Sequence, residues 1–245
     1  MRRALIIVGK PPEPGFAKTR LVPPLSYQDA AALYRGFLLD SVGMGHDLGW
    51  ERVTIVHPRH SGPALAALVS SEVRLLEQRG HGLASALPDA FAAHLAEGFA
   101  RVVLIGSDSP TLPLGLIEQA CTALASHDVS IGPTSDGGYY LIGLREPHLA
   151  LFEGIDWSTS RVFSQTLDHA VRLGLKVRRL RAWYDVDEPT DLKHLQRDLA
   201  TSPASLAPHT RAALQRLAHN PRDLYSGATG SGGTNSVGPR PDRSA

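Results

Sequence analysis

Short apolar runs and amphipathic stretches take turns along this chain, and that alternation confines it to helices laid against a mostly parallel sheet. The runs Ala4 to Val8, Arg52 to His57, Val73 to Leu76, Arg101 to Ile105, Val129 to Ile131 and Tyr139 to Leu144 have the length and content of buried strands. Another strand is expected from Lys176 to about Trp183. Helical spacing fills the intervals: from a cap at Ser26 to about Met44, over Pro63 to Ser70, Leu83 to Ala96 and Leu114 to Ala125, and from Ser158–Ser160 to Gly174. Pro189 sits in the first turn of a further helix, and Thr210 to Ala218 predicts a last one. The expectation is one α/β domain over residues 1–220, an open Rossmann-like sheet with helices on both faces. Beyond about Tyr225 almost nothing is apolar, so Ser226 to Ala245 is predicted to be a disordered tail.

Charge narrows the partners. A net charge of +1 with a pI near 8.0 leaves no basic stripe for nucleic acid. The single cysteine, Cys121, keeps helical spacing with Ile117, Ala120 and Leu124, which predicts a packed thiol in a chain without disulfides. Arg2 and Arg3 precede an apolar run too short for a signal peptide, and nothing later reaches the length of a membrane span. A soluble, cytoplasmic protein is expected.

Where the strands end, chemistry-bearing residues collect. The first strand runs into Gly9-Lys10-Pro11-Pro12-Glu13-Pro14-Gly15-Phe16-Ala17-Lys18-Thr19-Arg20, a loop stiffened by proline and carrying three cations. Only four lysines occur in the chain, and Lys10 and Lys18 are two of them. Such a loop suits a polyphosphate, with Arg20 as a bidentate fork and Lys18 as a point charge. It is not a P-loop, because Phe16 and Ala17 stand where that pattern needs glycine before Lys-Thr.

Three more motifs follow strands, where ligands of open α/β sheets bind. Asp108 follows Val102–Ile105 and is either a turn residue or a metal ligand. In Asp136-Gly137-Gly138-Tyr139 the glycines allow close approach to a ligand, although the same triplet makes hairpin turns. Asp185 and Asp187 alternate at a strand end, so only one would face the site if the strand continued. Mg²⁺ is commonly held by one or two carboxylates plus substrate phosphates, so Asp108 with Asp187 would suffice, and Asp185 is a further candidate. Asp191 is expected to be a solvated acid of the first helical turn. Trp157, Trp183 and Tyr184 either stack on a ligand or close the edges of the core. His57 and His60 complete no zinc pattern.

Together, Pro14-Gly15-Phe16-Ala17-Lys18-Thr19-Arg20-Leu21, Gly106-Ser107-Asp108-Ser109-Pro110, Asp136-Gly137-Gly138-Tyr139-Tyr140 and Asp185-Val186-Asp187-Glu188-Pro189 resemble the nucleotide-diphospho-sugar transferases over about residues 4–200. The chain looks most like bacterial glycosyltransferases of the A-type fold, including the arsenosugar-associated group. It is more distantly similar to 2-phospholactate and molybdenum-cofactor guanylyltransferases. This resemblance implies a nucleotide held by Lys10, Pro14, Gly15, Lys18 and Arg20. It further implies Mg²⁺ or Mn²⁺ at Asp108 and the Asp185–Asp187 segment, with the second substrate at Asp136, Gly137, Gly138 and Tyr139. In one departure, Gly80-His81-Gly82 stands where such proteins often carry Asp-Leu-Gly. Gly80 and Gly82 still let backbone approach a base, and His81 is either a reader of it or an exposed loop residue.

The leading expectation is a metal-dependent glycosyltransferase using a nucleoside-diphosphate sugar and a small-molecule acceptor, with Lys18, Arg20 and Asp136 as catalytic residues. The alternative is nucleotidyl transfer to a small phosphorylated substrate with release of pyrophosphate. A second alternative is a catalytically silent nucleotide-binding protein on the same fold.

Overall fold

A computed structural model describes residues 1–80 and 82–219. His81 and the tail from Ser226 lie outside the described residues. Among the described residues seven strands form one sheet: β1 (Arg3–Val8), β2 (Arg52–His57), β3 (Arg74–Glu77), β4 (Arg101–Gly106), β5 (Val129–Pro133), β6 (Tyr139–Leu144) and β7 (Val177–Arg179). Their order is β3-β2-β1-β4-β6-β5-β7. β1 pairs in parallel with β2 and β4, and β5 in parallel with β7, whereas β6 runs antiparallel to both β4 and β5. The sheet is therefore mostly parallel, as the alternation of elements requires. The exception is the β5–β6 hairpin, whose connection holds Asp136-Gly137-Gly138.

Alternation along β1 distributes the core. Leu5 and Ile7 join one buried cluster and Ala4 and Ile6 another, one on each face of the sheet. Seven α-helices are seen among the described residues: α1 (Tyr27–Leu48), α2 (Gly62–Ala66), α3 (Leu83–Ala96), α4 (Leu114–Ala123), α5 (Val162–Arg172), α6 (Pro189–Thr201) and α7 (Pro208–His219). None is long and apolar enough to cross a membrane. Ser26 caps α1 by accepting the Asp29 N–H at 3.1 Å, and Gly49, left-handed at φ 59°, closes it four residues beyond the expected end. β7 is shorter than expected, and only an isolated bridge between Thr134 and Trp183 continues its line. Cys121 is buried in the core, as its spacing predicts.

A third cluster sits beside the sheet and joins Leu33 and Phe37 of α1 to Leu195 of α6 and Ala213 of α7. There Gly36 lets α7 approach closely: a Cβ on it would lie 3.0 Å from the backbone of His209. Asp40, one turn further along α1, accepts the N–H groups of His209 at 3.0 Å and Thr210 at 2.8 Å. A buried acid on one helix thus caps the open N-terminus of another. Asp40→Ala is expected to cost about 1–2 kcal/mol and to lower the melting temperature by about 2–8 °C, read by differential scanning calorimetry.

Candidate active site

The register of the sheet assembles the site. Val8 of β1 pairs with Gly106 of β4, so Lys10 and Asp108, each two residues further on, leave adjacent strands at the same level. The order changes direction here: β2 lies on one side of β1 and β4 on the other, and a crevice opens outside such a point. It has a volume of about 700 Å³ and is lined in part by Lys10, Lys18, Arg20, Asp108, Asp185 and Asp187.

Two anchors position Lys18. Ala17 and Leu21, on either side of it, are fully buried in the cluster shared with α6 and α7. Between them Lys18 adopts φ 52°, the left-handed region, which costs a side-chain-bearing residue about 1–2 kcal/mol. Its ammonium lies 2.6 Å from Asp108 Oδ1 and 2.7 Å from Asp187 Oδ1, with the side chain only 3% exposed. The rings of Tyr34 and Phe37 lie beneath it, with centroids 6.0 and 5.8 Å away. Burial by itself would lower the Lys18 pKa, but the two carboxylates outweigh it and the pKa is raised. Lys18 is thus held as a cation.

Tyr34 braces the entry to the loop. Its hydroxyl accepts the Lys10 N–H at 3.1 Å and lies 2.8 Å from Ser107 Oγ, while burial and the nearby Asp108 push its pKa up to about 12. Pro14 and Gly15 form the exposed apex of the turn. Gly15 takes φ 78° there, and Phe16 and Ala17 both donate back to Glu13 O. These residues shape the loop and do not line the crevice.

Asp187 and Asp185 both line the crevice, contrary to the alternation expected of a continuing strand, because β7 ends at Arg179 and the segment is irregular. Val186 N–H donates to Asp108 O at 2.9 Å, tying the two acidic segments together. Ser109 Oγ donates to Asp185. Desolvation first, then repulsion from Asp108 and Asp187, raises the Asp185 pKa to about 7 against the opposing Ser109 bond. Asp191 is a cap rather than a solvated acid: its Oδ2 accepts the N–H groups of Asp187 at 3.0 Å and Glu188 at 2.8 Å. Trp183 and Tyr184 stack on each other, with Tyr184 also against His194, and they pack into core clusters.

Across the crevice lie Asp136, Gly138 and Tyr139. Asp136 Oδ1 is engaged within the hairpin connection, accepting from Thr134 Oγ1 and from Gly138 N–H. Gly137 packs, at φ 90°, against the Ser160 backbone, and its carbonyl accepts the Phe163 N–H at 2.9 Å. The turn Trp157-Ser158-Thr159-Ser160 forms the adjoining wall. Helical spacing assigned Ser158–Ser160 to the start of a helix, but Ser158 is left-handed at φ 63° and α5 begins only at Val162. The three consecutive hydroxyl residues after Trp157 were the available sign of this wall. A neighbouring pocket of about 350 Å³ shares Lys10 and Asp108 with the crevice and is lined by Gly80 and Gly82.

No cluster of three or more His, Cys, Asp or Glu suited to a metal occurs among the described residues. Two hard carboxylate oxygens aimed at one point in an open crevice fit Mg²⁺ or Mn²⁺ of the kind completed by substrate phosphates and water.

Residues 43–159 match the bacterial family DUF2064, described as uncharacterized proteins conserved in bacteria; this stretch contains Asp108 and Asp136 but neither Lys18 nor Asp187. A crystal structure from Desulfovibrio desulfuricans G20, assigned as a nucleotide-diphospho-sugar transferase, superposes with a TM-score of 0.83 at 32% identity, covering 91% of this chain and 97% of that one. The 3-phospho-D-glycerate guanylyltransferase of Phenylobacterium zucineum (strain HLK1) is 34% identical over 134 residues, which span 53% of this chain and 61% of that protein. At the level of fold alone, 4-diphosphocytidyl-2C-methyl-D-erythritol synthase from Anaerococcus prevotii DSM 20548 superposes with a TM-score of 0.56 at 12% identity, covering 81% of this chain and 96% of that one.

Proposed function

Because this chain belongs to the nucleotide-diphospho-sugar transferases, and is thus a transferase, we propose that it is a nucleotidyltransferase that joins a nucleoside monophosphate to a small phosphorylated acid. The observation that carries this reading is the meeting in one crevice of Lys10, Lys18 and Arg20 with Asp108 and Asp187, in a chain related by sequence to a guanylyltransferase. Three cations are well matched to a triphosphate. That relative moves the balance away from the glycosyl transfer expected first, and it favours a guanosine triphosphate donor and an acceptor resembling 3-phosphoglycerate.

In this reading the base and ribose enter the pocket at Gly80 and Gly82, and the triphosphate lies along Lys10, Lys18 and Arg20. Arg20 makes no ion pair with the described residues, so its guanidinium is available for a phosphate. The acceptor lies against Asp136, Gly138, Tyr139 and the Trp157–Ser160 turn. An oxygen of its phosphate attacks the α-phosphorus, the bond from that phosphorus to the α,β-bridging oxygen breaks, and pyrophosphate leaves with the bonding pair. A phosphate monoester is already largely dianionic near neutral pH, its second pKa being about 6. Asp136 therefore orients the acceptor instead of deprotonating it. A divalent cation at Asp108 and Asp187 would supply Lewis-acid neutralisation of the reacting phosphates.

The test is pyrophosphate release from each nucleoside triphosphate with 3-phosphoglycerate and Mg²⁺ or Mn²⁺. The expected result is release that requires both substrates and favours GTP by about tenfold or more, a pocket-level discrimination. Turnover of a nucleotide sugar with release of nucleoside diphosphate, and none of the triphosphates, would restore glycosyl transfer. Tight binding of nucleotide with no turnover of either kind would leave the silent-protein alternative.

A further inference from the structure

We propose that Lys18 is the resident counter-ion of the Asp108–Asp187 pair and leaves it only for the phosphates of an arriving nucleotide, so that divalent-cation binding is tied to nucleotide binding. The inference rests on the reading of Asp108 and Asp187 as the cation-binding pair. Its basis is a built ammonium site. The Lys18 ammonium contacts one oxygen of each carboxylate, at 2.6 and 2.7 Å, and two aromatic faces floor it. The left-handed backbone of Lys18, flanked by buried Ala17 and Leu21, aims the side chain there at a conformational cost.

An ammonium and a divalent cation cannot occupy the same point between the same two oxygens. With Lys18 in place, the pair presents to an incoming cation about half the charge it would otherwise offer, and the shared coordination point is filled. The ammonium is nearly excluded from water, so it needs another anion to go to, and the crevice it lines is where a triphosphate would lie. Lysine can make that exchange by rotating its four-carbon stem while the buried residues beside it keep the backbone fixed. Ligand-free protein should therefore bind the cation weakly, and nucleotide should release the pair to receive it.

The test is Mn²⁺ titration of the full chain, with free Mn²⁺ read by electron paramagnetic resonance, with and without a non-hydrolysable α,β-methylene GTP analogue. Without nucleotide, Lys18→Met and Lys18→Gln should each bind Mn²⁺ about tenfold tighter than wild type, the scale of a close charge pair removed. The GTP analogue should tighten Mn²⁺ binding to wild type by a larger factor than to either variant. If both variants, folded by circular dichroism, bind Mn²⁺ no tighter than wild type, the proposal is overturned. Asp108→Asn separates the two ideas. Loss of nucleotide-dependent Mn²⁺ binding in that variant, without any gain in the Lys18 variants, sinks the counter-ion role alone. Tighter binding in Lys18→Met that survives addition of Asp108→Asn means that Asp108 is not in the cation-binding pair.

Discussion

Asp108→Asn is expected to lower kcat/KM for nucleotidyl transfer by about 10²–10³-fold, the scale set by removing one preorganised charge from a reacting phosphate. The substitution preserves shape and replaces one charged oxygen that faces Lys18 at 2.6 Å. The Asp108 backbone carbonyl still accepts the Val186 N–H, so the acidic segments stay joined. Stability should change little, because the Asp108 side chain is 37% exposed and Lys18 keeps Asp187 as a partner. The measurement pairs steady-state pyrophosphate release with a melting curve. Wild-type turnover by a folded Asp108→Asn protein would remove this residue from the chemistry.

Gly137→Ala should be the most damaging single-methyl change in the site. A Cβ at Gly137 would sit 2.1 Å from Ser160 O and 2.6 Å from Ser160 C, backbone atoms that cannot rotate aside, and φ at this residue is 90°. Overpacking costs about 1–3 kcal/mol and a left-handed alanine about 1–2 more. Together they predict a loss of about 2–5 kcal/mol, or a fall in melting temperature of about 4–20 °C for a chain of this size. Because Ser160 belongs to the wall assigned to the acceptor, KM for 3-phosphoglycerate should rise more than KM for GTP. Calorimetry and initial rates at varied acceptor give both numbers, and an unchanged acceptor KM in a destabilised protein would detach the Trp157–Ser160 turn from acceptor binding.

The sheet was largely legible in the sequence because buried strands must be apolar, and their ends then locate the ligand edge. Asp108 could be placed there from the run before it. Strand direction was less accessible: β5 and β6 are buried along nearly their whole length, so their apolar runs report burial and not polarity. Asp136-Gly137-Gly138 was the local hint of antiparallel pairing. The expectations that failed depended on backbone state or long-range contact. Ser158 interrupts a helical pattern by turning left-handed, and Asp191 looks like a free acid until its bonds to Asp187 and Glu188 are seen. Asp108 and Asp187 could be named together as metal ligands, but no periodicity could show that Lys18 meets both.

That meeting also carries a kinetic consequence. Lys18 and Asp187 are 169 residues apart in sequence, and Asp187 is held by the first turn of α6. A chain emerging from the ribosome can lay down β1, its loop and most of the sheet while the crevice still lacks one of its two facing carboxylates. The Lys18–Asp187 contact forms only when α6 packs beside α1, which makes the two-carboxylate crevice among the last features to mature.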